Sequence, residues 1–213
     1  MTQAVIFDCW GTLFKNKRGN PYKRLLKRFG HNLGDYEATK KVERNFMLEK
    51  HEDFDEPLKR LFEELGVEYS EETFKEAKEL LATGMDARPF PDTLQVLEKL
   101  RENYRLGLIT NTDYFGFHML KEKYSLEDLF NQIVTSYRVG ALKPDKEIFE
   151  RMLEELNVGK SEVIMVGDSL EKDTKAAENY GIEGVLIDRD REHPDYPNRI
   201  ESLRELEDRL NDV

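Results

Sequence analysis

The sequence predicts an α/β fold: a doubly wound, Rossmann-like parallel sheet interrupted by an all-helical insertion. Three observations carry that reading. Over residues 92–187, amphipathic helical stretches alternate with short apolar runs, the pattern of a parallel sheet covered on both faces. A further apolar run, AVIF at 4–7, stands at the start and ends on Asp8. Between the two, residues 15–88 carry helical periodicity and no strand signal.

Taken in order, residues 4–7 read as a buried strand that breaks at Gly11-Thr12. Helices follow near 21–29 and 35–50. The next carries Leu58, Leu61, Phe62 and Leu65 on one face, with Asp55 as its expected cap and Gly66 as its stop. Ser70 opens a fourth, with Glu71 and Glu72 in its first turn and Phe74, Ala77, Leu80 and Leu81 inward. Pro89 and Pro91 end the insertion. A helix from Asp92 to about Asn103 turns Leu94, Leu97 and Leu100 inward and leads to a strand at 106–110. Later strands are expected at 133–136, 163–166 and 184–187, and the helix after Pro144 carries Ile148, Phe149, Met152, Leu153 and Leu156. The expected division is an α/β core of 1–14 plus 89–213 and a helical cap of 15–88.

Composition bounds the function. The chain of 213 residues has a formal net charge of −11, which argues against a nucleic-acid partner, since phosphate backbones require clustered Lys and Arg. Cys9 is the one cysteine, so no disulfide framework is expected. The start MTQAVIFDCW lacks a signal-peptide pattern, and no stretch approaches the ~18 apolar residues of a membrane span. A cytoplasmic protein, monomeric or homodimeric and without a membrane partner, is the expectation. The histidines show no metal-ligand spacing.

In open parallel sheets ligands sit at the carboxyl ends of the strands. Those ends carry Asp8 through Thr12, then Thr110 and Asn111, then Lys143, then Asp168 with Asp173 five residues on. Three carboxylates, a hydroxyl, an amide and an ammonium converge on one rim. Oxygen donors of this kind suit Mg²⁺, and Lys143 offsets both the carboxylates and an anionic substrate. Cys9, next to Asp8 on the strand, is expected to face away from the site.

The motifs FDCWGTLF (7–14), LITN (108–111), Lys143 in GALKPD and GDSLEKD (167–173) occur in that order, and together they resemble the haloacid dehalogenase superfamily, most of whose members are Mg²⁺-dependent phosphatases. The resemblance spans nearly the whole chain, and the helical insertion matches that family's cap. It implies a small phosphorylated substrate and Mg²⁺. It also implies Asp8 as the nucleophile, Thr110 as a hydrogen-bond donor to the phosphoryl group and Lys143 as its charge stabiliser. Asp8, Asp168 and the Trp10 carbonyl would hold the metal, with Asp173 acting indirectly; Asn111 would touch substrate.

One residue departs from the family pattern. Family phosphatases usually carry a second Asp two residues after the nucleophile, where it protonates the leaving oxygen. Here Trp10 stands there, and an indole N–H offers no proton of useful pKa. A phosphatase of good leaving groups, a metal-independent 2-haloacid dehalogenase and a weakly active phospho-ligand binder all remain open. Asp168 weighs against the dehalogenase, because a further carboxylate there repels a haloacid unless a metal intervenes.

Residues 15–28 hold seven basic side chains and no acidic one. Placed directly after the nucleophile loop, they would attract anions; Lys15, Lys17 and Arg18 are the candidates to face substrate.

Overall fold

The computed structural model describes residues 2–31 and 34–211. Six parallel strands form one sheet: β1 (Ala4–Phe7), β4 (Arg105–Thr110), β5 (Gln132–Thr135), β6 (Val163–Gly167), β7 (Glu183–Ile187) and β8 (Arg199–Ile200). Two shorter strands, β2 (Phe14–Asn16) and β3 (Ala87–Pro89), pair with each other antiparallel. The sheet order is β5-β4-β1-β6-β7-β8. The chain winds outward from β1 through β4 and β5, then crosses back to β6 and winds the other way. The reversal falls beside β1, where carboxyl ends leave a crevice.

Side-chain alternation along β1 explains how both faces are filled. Val5, Phe7 and Cys9 belong to one apolar cluster, and Ala4 and Ile6 to the opposite one. On the first face lie α5 (Thr93–Leu100), α6 (Tyr114–Lys123), α7 (Leu126–Leu129) and α11 (Leu203–Asn211). On the second lie α9 (Lys146–Leu156) and α10 (Lys175–Tyr180), which contribute Ile148, Phe149, Met152 and Ala177. Asp8 is the first residue past the buried strand, on the side that Ile6 shares. Cys9 is fully buried in the first cluster, and burial pushes its thiol well above the ordinary value.

A third apolar cluster is built only from residues between Tyr22 and Leu81. It joins α1 (Pro21–Arg28), α2 (Tyr36–Met47), α3 (Asp55–Leu65) and α4 (Glu71–Ala82). Asn20 caps α1 by accepting from the amides of Tyr22 and Lys23. Ser70 caps α4 in a reciprocal box with Thr73, and Gly66 ends α3 in the left-handed region at φ 67°.

Several expectations are corrected. The 15–88 stretch is not wholly helical, because Lys15 and Asn16 lie in β2 and Ala87 and Arg88 in β3. Asp55 is the first helical residue rather than the cap; its amide donates to Asp53. Leu94 is 36% exposed, since the buried stripe of α5 runs Thr93, Val96, Leu97, Leu100 and leaves Leu94 on its flank. The first helix of the core ends at Leu100, short of Asn103. Ser136 opens α8 (Ser136–Val139) instead of ending β5. Strand β8 and helix α11 were not anticipated. No helix among the described residues is long and apolar enough to cross a membrane.

Candidate active site

Strands β1, β4 and β6 deliver their terminal residues to one corner. Asp8 is 6% exposed, and its amide donates to the Val166 carbonyl of β6. Lys143 reaches it from the loop before α9. The ammonium donates to Asp8 Oδ1 at 2.5 Å, to Asp173 Oδ1 at 2.6 Å and to the Ile109 carbonyl at 3.3 Å. Asp173 uses its other oxygen as well, accepting from the Ser169 amide at 3.0 Å. Asp168 completes the group, with one carboxylate oxygen each from Asp8, Asp168 and Asp173 within 4.8 Å of one another. The acidic residues expected to converge do so.

Two glycines make room for this. Gly11 sits at φ 91°, and a Cβ there would overlap the Asp168 carboxylate. A Cβ on Gly167 would overlap Asp173. Asp173 is carried back toward β6 by a widened turn over Leu170–Thr174, in which the Ser169 carbonyl accepts from both Asp173 and Thr174. Such π-type turns concentrate at functional sites.

The charges are out of balance. With all three carboxylates ionised, one ammonium would leave an excess of two negative charges. Burial, with a smaller push from Asp173, raises Asp8 to about 6 although Lys143 pulls it down. Loss of hydration in the crowded corner, with the like charges of Asp8 and Asp173, raises Asp168 to about 8, although its side chain still meets solvent. Burial alone would lower Lys143, but Asp173 and Asp8 outweigh it and hold the ammonium charged. Asp8 Oδ2 is buried and has no hydrogen-bond partner. A hard divalent cation answers the excess charge, the acidic oxygens and the orphaned atom together. The residues present therefore fit a hard divalent cation.

Asn111 clasps the Lys143 backbone in both directions, donating to its carbonyl at 2.9 Å and accepting from its amide at 2.8 Å. It also borders the cavity. Thr110 is fully buried; its hydroxyl has no partner, and it is not among the residues lining the cavity. The Trp10 indole donates to the Thr112 hydroxyl at 3.1 Å, which fixes the ring.

A cavity of about 430 Å³ opens from this corner into the space under the helical segment. Its far wall includes Tyr22, Met47, Phe54 and Leu81. Lys15 lines it, with its ammonium 5.0 Å from the Phe90 ring centroid. Lys17 and Arg18 do not line it. The Lys17 amide donates to the Asp86 carbonyl and the Arg18 amide to Asn16 Oδ1, a turn that leaves both residues exposed. Three charged lining residues were missed from sequence: Asp113, and the Glu43–Lys172 ion pair that bridges α2 to the turn after β6. Asp113 lies three residues beyond Thr110 in the run TNTD, a signal that was available. The Glu43–Lys172 pairing spans 129 positions and left none.

Comparison with known proteins agrees with this geometry. A family model described as haloacid dehalogenase-like hydrolase matches residues 2–181. Over 205 residues the chain is 29% identical to a glyceraldehyde 3-phosphate phosphatase of Methanothermobacter thermautotrophicus, a match covering 88% of this chain and 86% of that one. Over 131 residues it is 37% identical to the pyrimidine 5′-nucleotidase YjjG of Escherichia coli K12, which covers 57% of this chain and 56%, about half, of the relative. Among solved structures, a HAD phosphatase from Thermococcus onnurineus aligns with TM-score 0.65 and 27% identity over 98% of each chain. L-2-haloacid dehalogenase from Xanthobacter autotrophicus aligns at 0.69 and 20% identity over 99% of each, a likeness of fold alone.

Proposed function

The chain belongs to the haloacid dehalogenase-like hydrolases, and on that footing we propose that it is a Mg²⁺-dependent phosphatase releasing phosphate from a small phosphorylated metabolite through Asp8. The observation that carries the reading is the unbalanced corner, where Asp8 and Asp173 share one ammonium and Asp168 brings a third carboxylate beside them. The phosphatase relatives support the same reaction class.

In this reading Asp8, Asp168 and the Trp10 carbonyl hold the metal. Asp173 acts through water, since Lys143 and Ser169 already occupy its oxygens. Bound there, Mg²⁺ supplies positive charge to the phosphoryl oxygens. The side chains perform the rest. Asp8 attacks phosphorus, and the bond from phosphorus to the leaving oxygen breaks, giving an aspartyl phosphate. Water then attacks that phosphorus, and the Asp8 carboxylate returns as phosphate leaves. Lys143 orients Asp8 and offsets charge gathering on the phosphoryl group. Asn111 keeps Lys143 in place; Thr110, buried at the end of β4 and outside the cavity lining, is assigned to the phosphoryl oxygens on the family resemblance alone. The 15–88 segment serves as the cap that excludes water over the site.

Trp10 sets the substrate's chemistry. Its N–H is held by Thr112, so no acid stands at that position to protonate an alkoxide. Aryl phosphates are therefore expected to turn over at least ~10²-fold faster than alkyl phosphates, the low end of what general acid catalysis supplies. A leaving-group series independent of pKa contradicts this.

The overall test is phosphate release from p-nitrophenyl phosphate, with Mg²⁺ and with EDTA, by wild type and Asp8→Asn. Metal-dependent turnover that vanishes in the variant sustains the proposal. Metal-independent chloride release from 2-chloropropionate identifies a dehalogenase instead. Absence of both leaves a protein that only binds phosphorylated ligands.

A further inference from the structure

Outside the phosphoryl corner, four charged residues line the cavity: Lys15, Glu43, Asp113 and Lys172. Three are accounted for. Glu43 and Lys172 pair with each other, and Lys15 rests on the Phe90 ring. Asp113 differs. Among the described residues no ammonium or guanidinium forms an ion pair with it. Its one side-chain hydrogen bond of good geometry comes from the Gly116 amide, which donates to Oδ1 at 2.7 Å as the first turn of α6 begins.

Helix capping does not require a carboxylate here. Ser, Thr or Asn caps about as well without a charge, and a carboxylate drawn out of water without a cation is costly. Burial holds the Asp113 carboxyl above its ordinary value despite the Gly116 amide and the Tyr22 hydroxyl set against it. Tyr22 belongs to α1 on the cap side, so the two residues face each other across the seam. That seam is tight nearby: the Phe54 ring lies 5.3 Å from Phe115, and the Lys50 ammonium 4.3 Å from the Tyr114 ring centroid. The surrounding cap wall, Met47, Phe54 and Leu81, is apolar.

The geometry points to Asp113, flanked by Tyr22, as the residue that selects a substrate whose alcohol half bears an amino or ring N–H donor beyond an apolar body. This rests on the phosphatase reading and adds the class of leaving group. A donor-bearing group replaces the missing cation at Asp113, while the hydrocarbon between it and the phosphate lies along Met47, Phe54 and Leu81. An N–H donor to a half-buried carboxylate is a charge-assisted hydrogen bond, among the stronger kinds.

Two nearly isosteric esters test it: 4-(aminomethyl)phenyl phosphate and 4-ethylphenyl phosphate. Wild type should prefer the amine by about tenfold or more in kcat/KM, in keeping with hydrogen bonds to charged groups. Asp113→Asn, which keeps the helix cap, should collapse that ratio toward one mainly through KM for the amine. Tyr22→Phe should narrow the ratio less. A wild-type ratio near one, or a ratio that Asp113→Asn leaves untouched, overturns the assignment. Calorimetric binding of the two esters to the Asp8→Asn protein repeats the comparison without turnover. Failed hydrolysis by wild type thus strikes the phosphatase reading, whereas equal affinities strike this one.

Discussion

Two buried ionic groups flank the loop after β1, and they are built to opposite rules. At one, Lys143 is shared by Asp8 and Asp173 with Asp168 close by. At the other, Arg189 grips Asp92 with both terminal nitrogens at 3.1 Å. The Leu203 amide donates to the same carboxylate at 2.8 Å, and Arg189 also reaches the Thr12 carbonyl at 3.0 Å. Charge balances in the second group and both Asp92 oxygens are used, although Arg189 Nε has no partner. The first group differs in its surplus charge, and there the unpartnered atom is a carboxylate oxygen. Buried carboxylates that only hold a fold together are matched one for one; a surplus marks a place kept for something not encoded in the chain.

The sharpest way to break the contrast is Asp8→Asn. It should lower turnover by at least ~10³-fold, as loss of a covalent nucleophile does. Unfolding in EDTA should nevertheless show stability unchanged or improved, because one of three crowded like charges is gone. A variant that is both inactive and unfolded would make Asp8 structural. Next is Lys143→Met, which strands the Asp8 and Asp173 carboxylates. Denaturant titration at pH 7 should show a loss of about 3–5 kcal/mol, the usual result of removing one partner from a buried ionic group. Arg189→Met strands only one carboxylate that keeps an amide donor, so about 2 kcal/mol is expected, with turnover retained at saturating substrate.

The smallest effect is one of sign. Asp92 is depressed below 3.8, because Arg189 and the Leu203 amide outweigh its burial. Its contribution is complete above the ordinary Asp value and lost as pH falls through the depressed one. The stability gap between wild type and Asp92→Asn should therefore narrow below about pH 4. Asp8 and Asp168 are raised, to about 6 and about 8. Without metal the native state binds protons that the unfolded chain does not, so stability should rise as pH falls from about 8 to 6. Added Mg²⁺ should flatten that slope, since it competes with the protons. Melts at matched pH with EDTA or Mg²⁺ read both windows.

Much of this was legible in the sequence. The strand ends pointed to Asp8, Thr110 and Asp168, because a buried apolar run stopping at a polar residue is a strong local signal, whereas Lys143 lies well past β5 in the loop before α9 and stood out through the GALKPD motif. The hidden parts share one cause, which is shortness or distance. Strands β2, β3 and β8 are two or three residues long, too few for any alternation to register. Asp92 and Arg189 are 97 positions apart, and each reads alone as a surface residue. The basic run at 15–28 misled for another reason: charge density says nothing about direction, and the turn at Lys17-Arg18 sends two of its members outward.

Gly11 has a wider consequence. The Asp168 carboxylate fills the very volume a side chain at position 11 would need, so two stretches of chain more than 150 residues apart were fitted to each other atom by atom. Neither loop can be redesigned alone. Any attempt to transplant a new reaction onto this scaffold must carry both segments as one inseparable cassette, whatever is done to the helices above them.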